Sequence, residues 1–217
     1  MPAADPETDL ADTDPDPVAP AGHRGLAVLL GVAGLLGLLA SMMLTIDRIR
    51  LLQDPSAQLA CDLSPFIACG PVMESRAGAL LGFPNPLLGI VGFSALLTTA
   101  AVLLGGARLA DWYFRGLQVG VLLAAVFITW LQSQSLYVIG ALCLWCMLVW
   151  TVTIPVVVVV TTTNLAAGRL GRGLVPLGHR LDGFRVTIIA VWYLLVLGAI
   201  ALRFHREFAL LWFGVAL

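Results

Sequence analysis

The chain has 217 residues, 59% of them hydrophobic and 12% charged, with a formal net charge of -1 and a mean hydropathy of +0.95. A soluble domain is about one-quarter charged, so this composition argues against a soluble enzyme, a nucleic-acid binder or a small secreted disulfide scaffold, and for an integral membrane protein. All twelve basic residues are Arg, which excludes chemistry through a lysine Schiff base.

Residues 1 to 20 carry six acids and five prolines and no aromatic residue, a composition that cannot bury enough apolar surface to order itself. Residues 1–22 are therefore expected to form a disordered acidic tail. The acidic start also lacks the basic region of a cleavable leader, so the apolar segment after it is expected to stay as a helix. That first span runs from Leu26 to Ile46, 21 uncharged residues ending at Asp47-Arg48, enough to cross a bilayer as a helix.

A long connection over 47–86 follows, holding Cys61 and Cys69 among scattered prolines and glycines; connections of this length usually have a function of their own. Its apolar stretch Ala77 to Phe83, stopped by Pro84-Asn85-Pro86, is read as a short helix or turn at the membrane surface. The second span is Leu87 to Ala107. The third covers about Gly116 to Gln132, with Gln132, Ser133, Gln134 and Ser135 read as a tight turn, and the fourth covers about Ile139 to Thr161, with Pro155 as a kink point. The 53 residues from Gly116 to Gly168 contain no Asp, Glu, Lys or Arg, room for two spans. A Gly- and Arg-rich linker, 165–185, leads to a fifth span at Val186 to Leu202 and a short tail, closing a segment that covers 186–217.

Orientation follows from the Arg asymmetry of the loops. Four Arg lie in the 165–185 linker, which is therefore placed in the cytoplasm together with the N-terminus. Alternation then leaves seven Arg inside and five outside. It also puts all four cysteines, Cys61 and Cys69 in the long loop and Cys143 and Cys146 at the head of the fourth span, on the external side.

Thiols facing an oxidising compartment can pair, and four of them allow three connectivities. Cys143-Leu144-Trp145-Cys146 stands at a helix start, where residues three apart are neighbours close enough to bridge and the helix N-terminus favours a thiolate. A redox pair and a static staple are both compatible with that spacing. Cys61 and Cys69, in a breaker-rich segment, suit either a loop staple or a relay that accepts electrons from a soluble partner and passes them to the CxxC through mixed disulfides. Four thiolates also suit zinc, but His23, His179 and His205 lie elsewhere, and no metal ligands are assigned. A relay ending in the membrane needs a lipid-soluble acceptor. A quinone suits a dithiol, with Cys146, one turn deeper than Cys143, nearest to it and Trp145 or Trp150 as an aromatic wall.

Three stretches then resemble the vitamin K epoxide reductase family, in particular its bacterial homologues that feed disulfide bond formation: Cys61-Asp-Leu-Ser-Pro-Phe-Ile-Ala-Cys69-Gly-Pro-Val-Met-Glu-Ser75, Gly-Phe-Pro-Asn85-Pro-Leu-Leu-Gly89, and Tyr137-Val-Ile-Gly-Ala-Leu-Cys143-Leu-Trp-Cys146. The resemblance implies an all-α membrane protein with a four-helix transmembrane bundle around a quinone pocket, over residues 23–164, plus a fifth transmembrane helix. It implies that a separate thioredoxin-fold (DsbA-like) dithiol oxidase on the external side hands electrons to Cys61/Cys69. Cys69 would then exchange with Cys143, and Cys146 would reduce menaquinone or ubiquinone. Asn85 takes the family position of a hydrogen-bond donor to a quinone carbonyl, and Ser75 that of a serine beside the pocket. Two departures stand out: Leu144 replaces a proline common in bacterial relatives, which bears on the CxxC potential, and Trp150 replaces the tyrosine of the vertebrate enzymes and has no phenolic proton to donate, so epoxide reduction is not part of what the resemblance implies. A multi-pass binding or transport protein with structural disulfides, or a metal-handling membrane protein, is the competing reading. A transporter would need a polar pathway, whereas the spans hold little beyond Gln118, Gln132 and Gln134. The expected location is a bacterial cytoplasmic membrane.

Overall fold

The computed structural model describes residues 21–207 except Pro65; residues 1–20 of the expected 1–22 tail and the last ten residues lie outside the described part, and positions 21 and 22 belong to the first helix. Its elements are α1 (Ala21–Gln53), α2 (Gly70–Glu74), a 3-10 turn (Arg76–Ala79), α3 (Pro86–Leu104), α4 (Asp111–Ser133) continued by a π-helical turn (Gln134–Ile139), α5 (Leu144–Ala166), a second 3-10 turn (Arg172–Leu174), α6 (Val175–Gly183) and α7 (Arg185–Arg203). Five helices are long and apolar enough to cross a membrane. The protein is an all-α membrane protein.

α1, α3, α4 and α5 form a four-helix bundle, and all four contribute to one core, through Leu26, Leu30, Phe93, Ala100, Phe114, Val121, Val156 and Val160 among others. α5 is the central helix, packing on α1, α4, α6 and α7. Close approach of α1 and α3 depends on small residues. A Cβ on Gly34 would lie 2.8 Å from the backbone nitrogen of Leu97, one on Gly37 would collide with the Phe93 ring, and one on Gly89 with the Ser41 hydroxyl. Without interhelical water to expel, such contacts between small residues are how membrane helices adhere. The glycines of the first span thus serve packing inside the bundle. α7 has no buried residue; it leans on α5 through Ile189, Trp192, Tyr193 and Val196 and leaves Leu194, Leu195 and Leu197 exposed, the lipid-facing side of a peripheral span.

The third span begins at Asp111 rather than Gly116 and the fourth covers Leu144–Ala166 rather than Ile139 to Thr161, and three further differences from the sequence reading bear on packing and on the site. α1 continues two turns past Ile46 to Gln53, because the Asp47-Arg48-Ile49-Arg50 segment holds no breaker and Asp47 turns inward beside buried Leu44 and Leu51. The polar run Gln132 to Ser135 is helix rather than turn. Its hydroxyls are satisfied locally, Ser133 on the Trp130 carbonyl and Ser135 on the Ala141 carbonyl, and the chain reverses only at Gly140, whose φ of 71° is left-handed. The 165–185 linker contains α6, started by a proline in its first turn and seated on the end of α5 where Gly178 meets Leu165 and Ala166.

Candidate functional site

Both loops that carry cysteines lie at one end of the bundle, and backbone pairing sets their register. The Ala68 N–H donates to the Leu142 carbonyl at 2.9 Å and the Leu142 N–H to the Phe66 carbonyl at 2.8 Å, a short parallel bridge between the long loop and the segment after Gly140. The next residue on each side of that bridge is a cysteine, Cys69 on one and Cys143 on the other. Asp62 holds the loop from behind: one oxygen accepts from the Cys69 N–H at 2.8 Å and the Gly70 N–H at 3.5 Å, the other from the Leu59 N–H at 3.3 Å.

Cys61 and Cys69 are joined in a disulfide. Cys143, a free thiol, places its Sγ 3.2 Å from Cys69 Sγ. All three sulfurs are shut from solvent, with Cys61 at 1% exposure and Cys69 and Cys143 at 0%, packed among Leu44, Leu51, Leu59 and Met73. Cys143 is the N-cap of α5, and its sulfur accepts from the Cys146 N–H at 3.4 Å. Hydrogen bonding from the Cys146 thiol first, then from the backbone N–H groups of Cys146 and Trp145, lowers the Cys143 pKa from its ordinary value. Burial and the nearby Asp47 carboxylate oppose that shift. Such an arrangement makes Cys143 a ready nucleophile or leaving group.

Cys146 packs on that cysteine cluster and also on the neighbouring core around Trp150. With Trp150, one turn further along α5 and on the same face, it lines a cavity of about 30 Å³ closed by Val72, Ala77, Leu131, Gln134, Ser135 and Ile139. The cavity sits between the ends of α4 and α5 under the loop, and α1 and α3 do not line it. Its lining is an aromatic plane, aliphatic walls, one thiol and a few polar atoms, the chemistry that suits a flat apolar ring bearing carbonyls. Its volume is that of about one water, and Val72 and Ala77, from the loop side, form its roof. A wider depression of about 490 Å³ on the outer side of α4 is lined by residues of that one helix alone, Ala125, Val126, Thr129, Trp130 and Ser133; it is a groove facing the lipid.

The other sequence candidates fall around this centre. Trp150 is buried at 4% exposure and lines the cavity. Trp145 packs on the cysteine cluster instead. Asn85 is buried and brackets the roof: its Nδ2 donates to the Ala77 carbonyl at 2.6 Å and its Oδ1 accepts from the Leu80 N–H at 3.2 Å. Ser75 donates to the Val72 carbonyl at 2.7 Å and accepts from the Gly78 N–H at 3.2 Å. Both therefore shape the segment that carries Val72 and Ala77. Sequence reasoning missed Gln134 and Ser135 as lining residues, having taken them for a turn, and Asp62 as the brace of the loop; the adjacency of Asp62 to Cys61 was the available signal.

Residues 28–161, more than half of the chain, match the vitamin K epoxide reductase family. A search of curated proteins gives no match. The chain belongs to the vitamin K epoxide reductase family, membrane redox enzymes linked to quinones and to thiol–disulfide partners.

Proposed function

From that membership we propose that the protein is a quinone-dependent thiol oxidoreductase of a bacterial cytoplasmic membrane. It reoxidises a separate, exported thioredoxin-fold dithiol oxidase, with its cysteine end facing the periplasm or cell exterior and its N-terminus in the cytoplasm. The observation that carries the reading is the row of sulfurs: a Cys61–Cys69 disulfide, Cys143 at 3.2 Å from Cys69, and Cys146 three residues on, at the cavity wall.

In the proposed cycle the partner's dithiol reduces Cys61–Cys69 by way of a mixed disulfide. The Cys69 thiolate then attacks Cys143 of an oxidised Cys143–Cys146 pair, forming Cys69–Cys143 and releasing the Cys146 thiolate toward the cavity. Cys61 attacks Cys69, restores the loop disulfide and expels Cys143 as a thiolate. The loop pair oxidised and Cys143 free is the bonding pattern expected of that step's product, which supports the reading. Trp150, Gln134 and Cys146, which line the cavity, would be the residues beside a quinone, which would supply the two-electron sink for reoxidising the helix pair. The acceptor is menaquinone or ubiquinone, and each ~30 mV by which it exceeds the disulfide contributes ~1.4 kcal/mol of driving force. Asn85 and Ser75 hold the segment that roofs the cavity through their bonds to its backbone, a positioning role rather than a contact to the acceptor.

The test is quinone reduction by purified protein given a reduced thioredoxin-fold oxidase. Cys143→Ser and Cys146→Ser each abolish turnover with any reductant. Cys61→Ser and Cys69→Ser abolish it with the protein partner. Undiminished turnover in Cys146→Ser overturns the mechanism, and a wild type inactive with both quinones moves the structural-staple reading ahead.

A further inference from the structure

One ionisable side chain besides the thiols is sunk into the cysteine cluster. Asp47, in the last turns of α1, is 6% exposed, and the 3–4 residue spacing of Leu44, Asp47 and Leu51 puts it on the helix face that packs on the sulfurs. Its Oδ2 lies 3.9 Å from Cys61 Sγ. Its Oδ1 is 3.7 Å from Arg50, whose side chain is largely in solvent, so the ion pair does little to offset the burial of the charge. An apolar residue would fill the position at less cost, which leaves the carboxylate without a packing rationale.

The other charged and titratable groups around it are accounted for. From the loop, Asp62 influences Asp47, and its oxygens accept from the Leu59, Cys69 and Gly70 N–H groups. From the head of α5, the free thiol of Cys143 is the group that feels the Asp47 charge. From α2, buried Met73 faces the cluster while Glu74 is exposed. The sulfur nearest to the Asp47 carboxylate with a proton to exchange is Cys61, once the loop disulfide is open.

We propose that Asp47 is the proton acceptor for Cys61 when the loop disulfide closes, and the proton donor to Cys61 when it opens. The inference rests on the relay proposed above and adds a residue to it. In the closing step the chain holds a Cys69–Cys143 disulfide and a Cys61 thiol. The Cys61 proton passes to Asp47 Oδ2 as Cys61 Sγ bonds to Cys69 Sγ. The Cys69–Cys143 bond breaks, and its electron pair leaves on Cys143 Sγ, which the Cys146 N–H holds. One disulfide is exchanged for another, so the step needs no outside oxidant or reductant. Asp47, Cys61, Cys69 and Cys143 stand in the order that this transfer requires, base, nucleophile, electrophile and leaving group.

The step is isolated in full-length Cys146→Ser protein, where Cys143 has no second partner and the single disulfide shuttles between Cys61–Cys69 and Cys69–Cys143 without quinone or oxidase. After a pH jump, acid quenching, alkylation and peptide mass mapping read which cysteine is free. Adding Asp47→Asn, close in shape and unable to take the proton, slows the exchange about tenfold or more at pH 6. The gap narrows as pH rises and solvent base deprotonates Cys61 unaided, and Asp47→Glu restores most of the rate. Exchange in Asp47→Asn at the parent rate throughout the pH range overturns the role of Asp47. A slowing equal at every pH and not relieved by Asp47→Glu also overturns it, because a packing defect behaves that way. If Cys69–Cys143 never forms in the Cys146→Ser parent, the relay itself fails and Asp47 with it. If the exchange depends on Asp47 as described while wild type reduces no quinone, only the terminal step of the relay is lost.

Discussion

The two ends of the bundle use polar groups in opposite ways. At the end away from the cysteines, Asn164 of α5 donates to the Phe114 carbonyl and to Gln118 Oε1, both at 3.0 Å, and accepts from Arg169 at 3.2 Å. Gln118 reaches Thr161 at 2.9 Å, and Arg169 pairs with Asp111 at 3.0 Å while lying over the Phe114 ring. Each group has one partner set, and the knot fastens α4 to α5. At the cysteine end the side chains of Asp62, Asn85 and Ser75 bond to backbone; Asp62 holds the loop at Cys69, a sulfur with more than one possible partner, and Asn85 and Ser75 hold the segment that roofs the cavity. One end is fixed by complete pairing; the other is built around bonds that can be exchanged. The same fold can therefore be weakened at one end with little effect on the chemistry and be disarmed at the other with little effect on stability.

The largest break in that contrast comes from Asn164→Ala. It removes the partner of Gln118 Oε1, of Arg169 Nη1 and of the Phe114 carbonyl at once, and unpairing buried polar groups costs roughly 2–4 kcal/mol. Thermal unfolding in detergent should show that loss, while the rate of Cys69–Cys143 exchange per folded molecule stays as in wild type. Gly34→Ala is expected to act similarly at mid-bundle: its new methyl meets the backbone of Leu97, forcing α1 and α3 apart at about 1–3 kcal/mol, again read as a lower unfolding temperature with cysteine reactivity retained.

Asp62→Ala reverses the pattern. Removing the acceptor of the Cys69 and Leu59 N–H groups costs about 1–2 kcal/mol, but it frees the loop that holds Cys69 against Cys143. Partner-driven turnover is expected to fall about tenfold, since small losses of positioning are felt strongly in rate. A large stability loss with unchanged turnover would place Asp62 with the static end.

Much of this was legible because the informative features are local. Apolar runs longer than a bilayer's thickness yield the spans, and two cysteine pairs in loops at one end yield the redox centre. What eluded the sequence is non-local or runs against habit. The Phe66–Leu142 pairing that sets the cysteine register is backbone to backbone, and no side-chain pattern announces it. α6 hides behind Gly173, Gly178 and Gly183, which read as a linker until α5 gives Gly178 a surface to pack on. Asp47 reads as the polar end of a span; only the continuation of α1 to Gln53 turns it inward. Asn164 reads as a residue just beyond a span and is instead 1% exposed, because Phe114, Gln118 and Arg169 satisfy its side chain.

The smallest expected effect distinguishes the ends by pH. Hydrogen bonding lowers the Cys143 pKa, so its thiolate persists below the range of an ordinary thiol, about 8.5. The sign for stability follows from linkage. A group whose folded pKa is depressed adds stability that is fully present above its unfolded value and is lost as pH falls through its folded value. In protein with Cys61 and Cys69 replaced by Ala, thiolate absorbance should rise at a pH below that of a free thiol, and stability should climb over the same interval. Cys146→Ala, which removes the largest cause of the shift, should move the rise upward and flatten the climb. Asn164→Ala should lower the whole stability curve without moving that inflection, since nothing in the far knot touches the sulfur. A titration that follows Asn164 and ignores Cys146 would mean that the two ends are one cooperative unit after all.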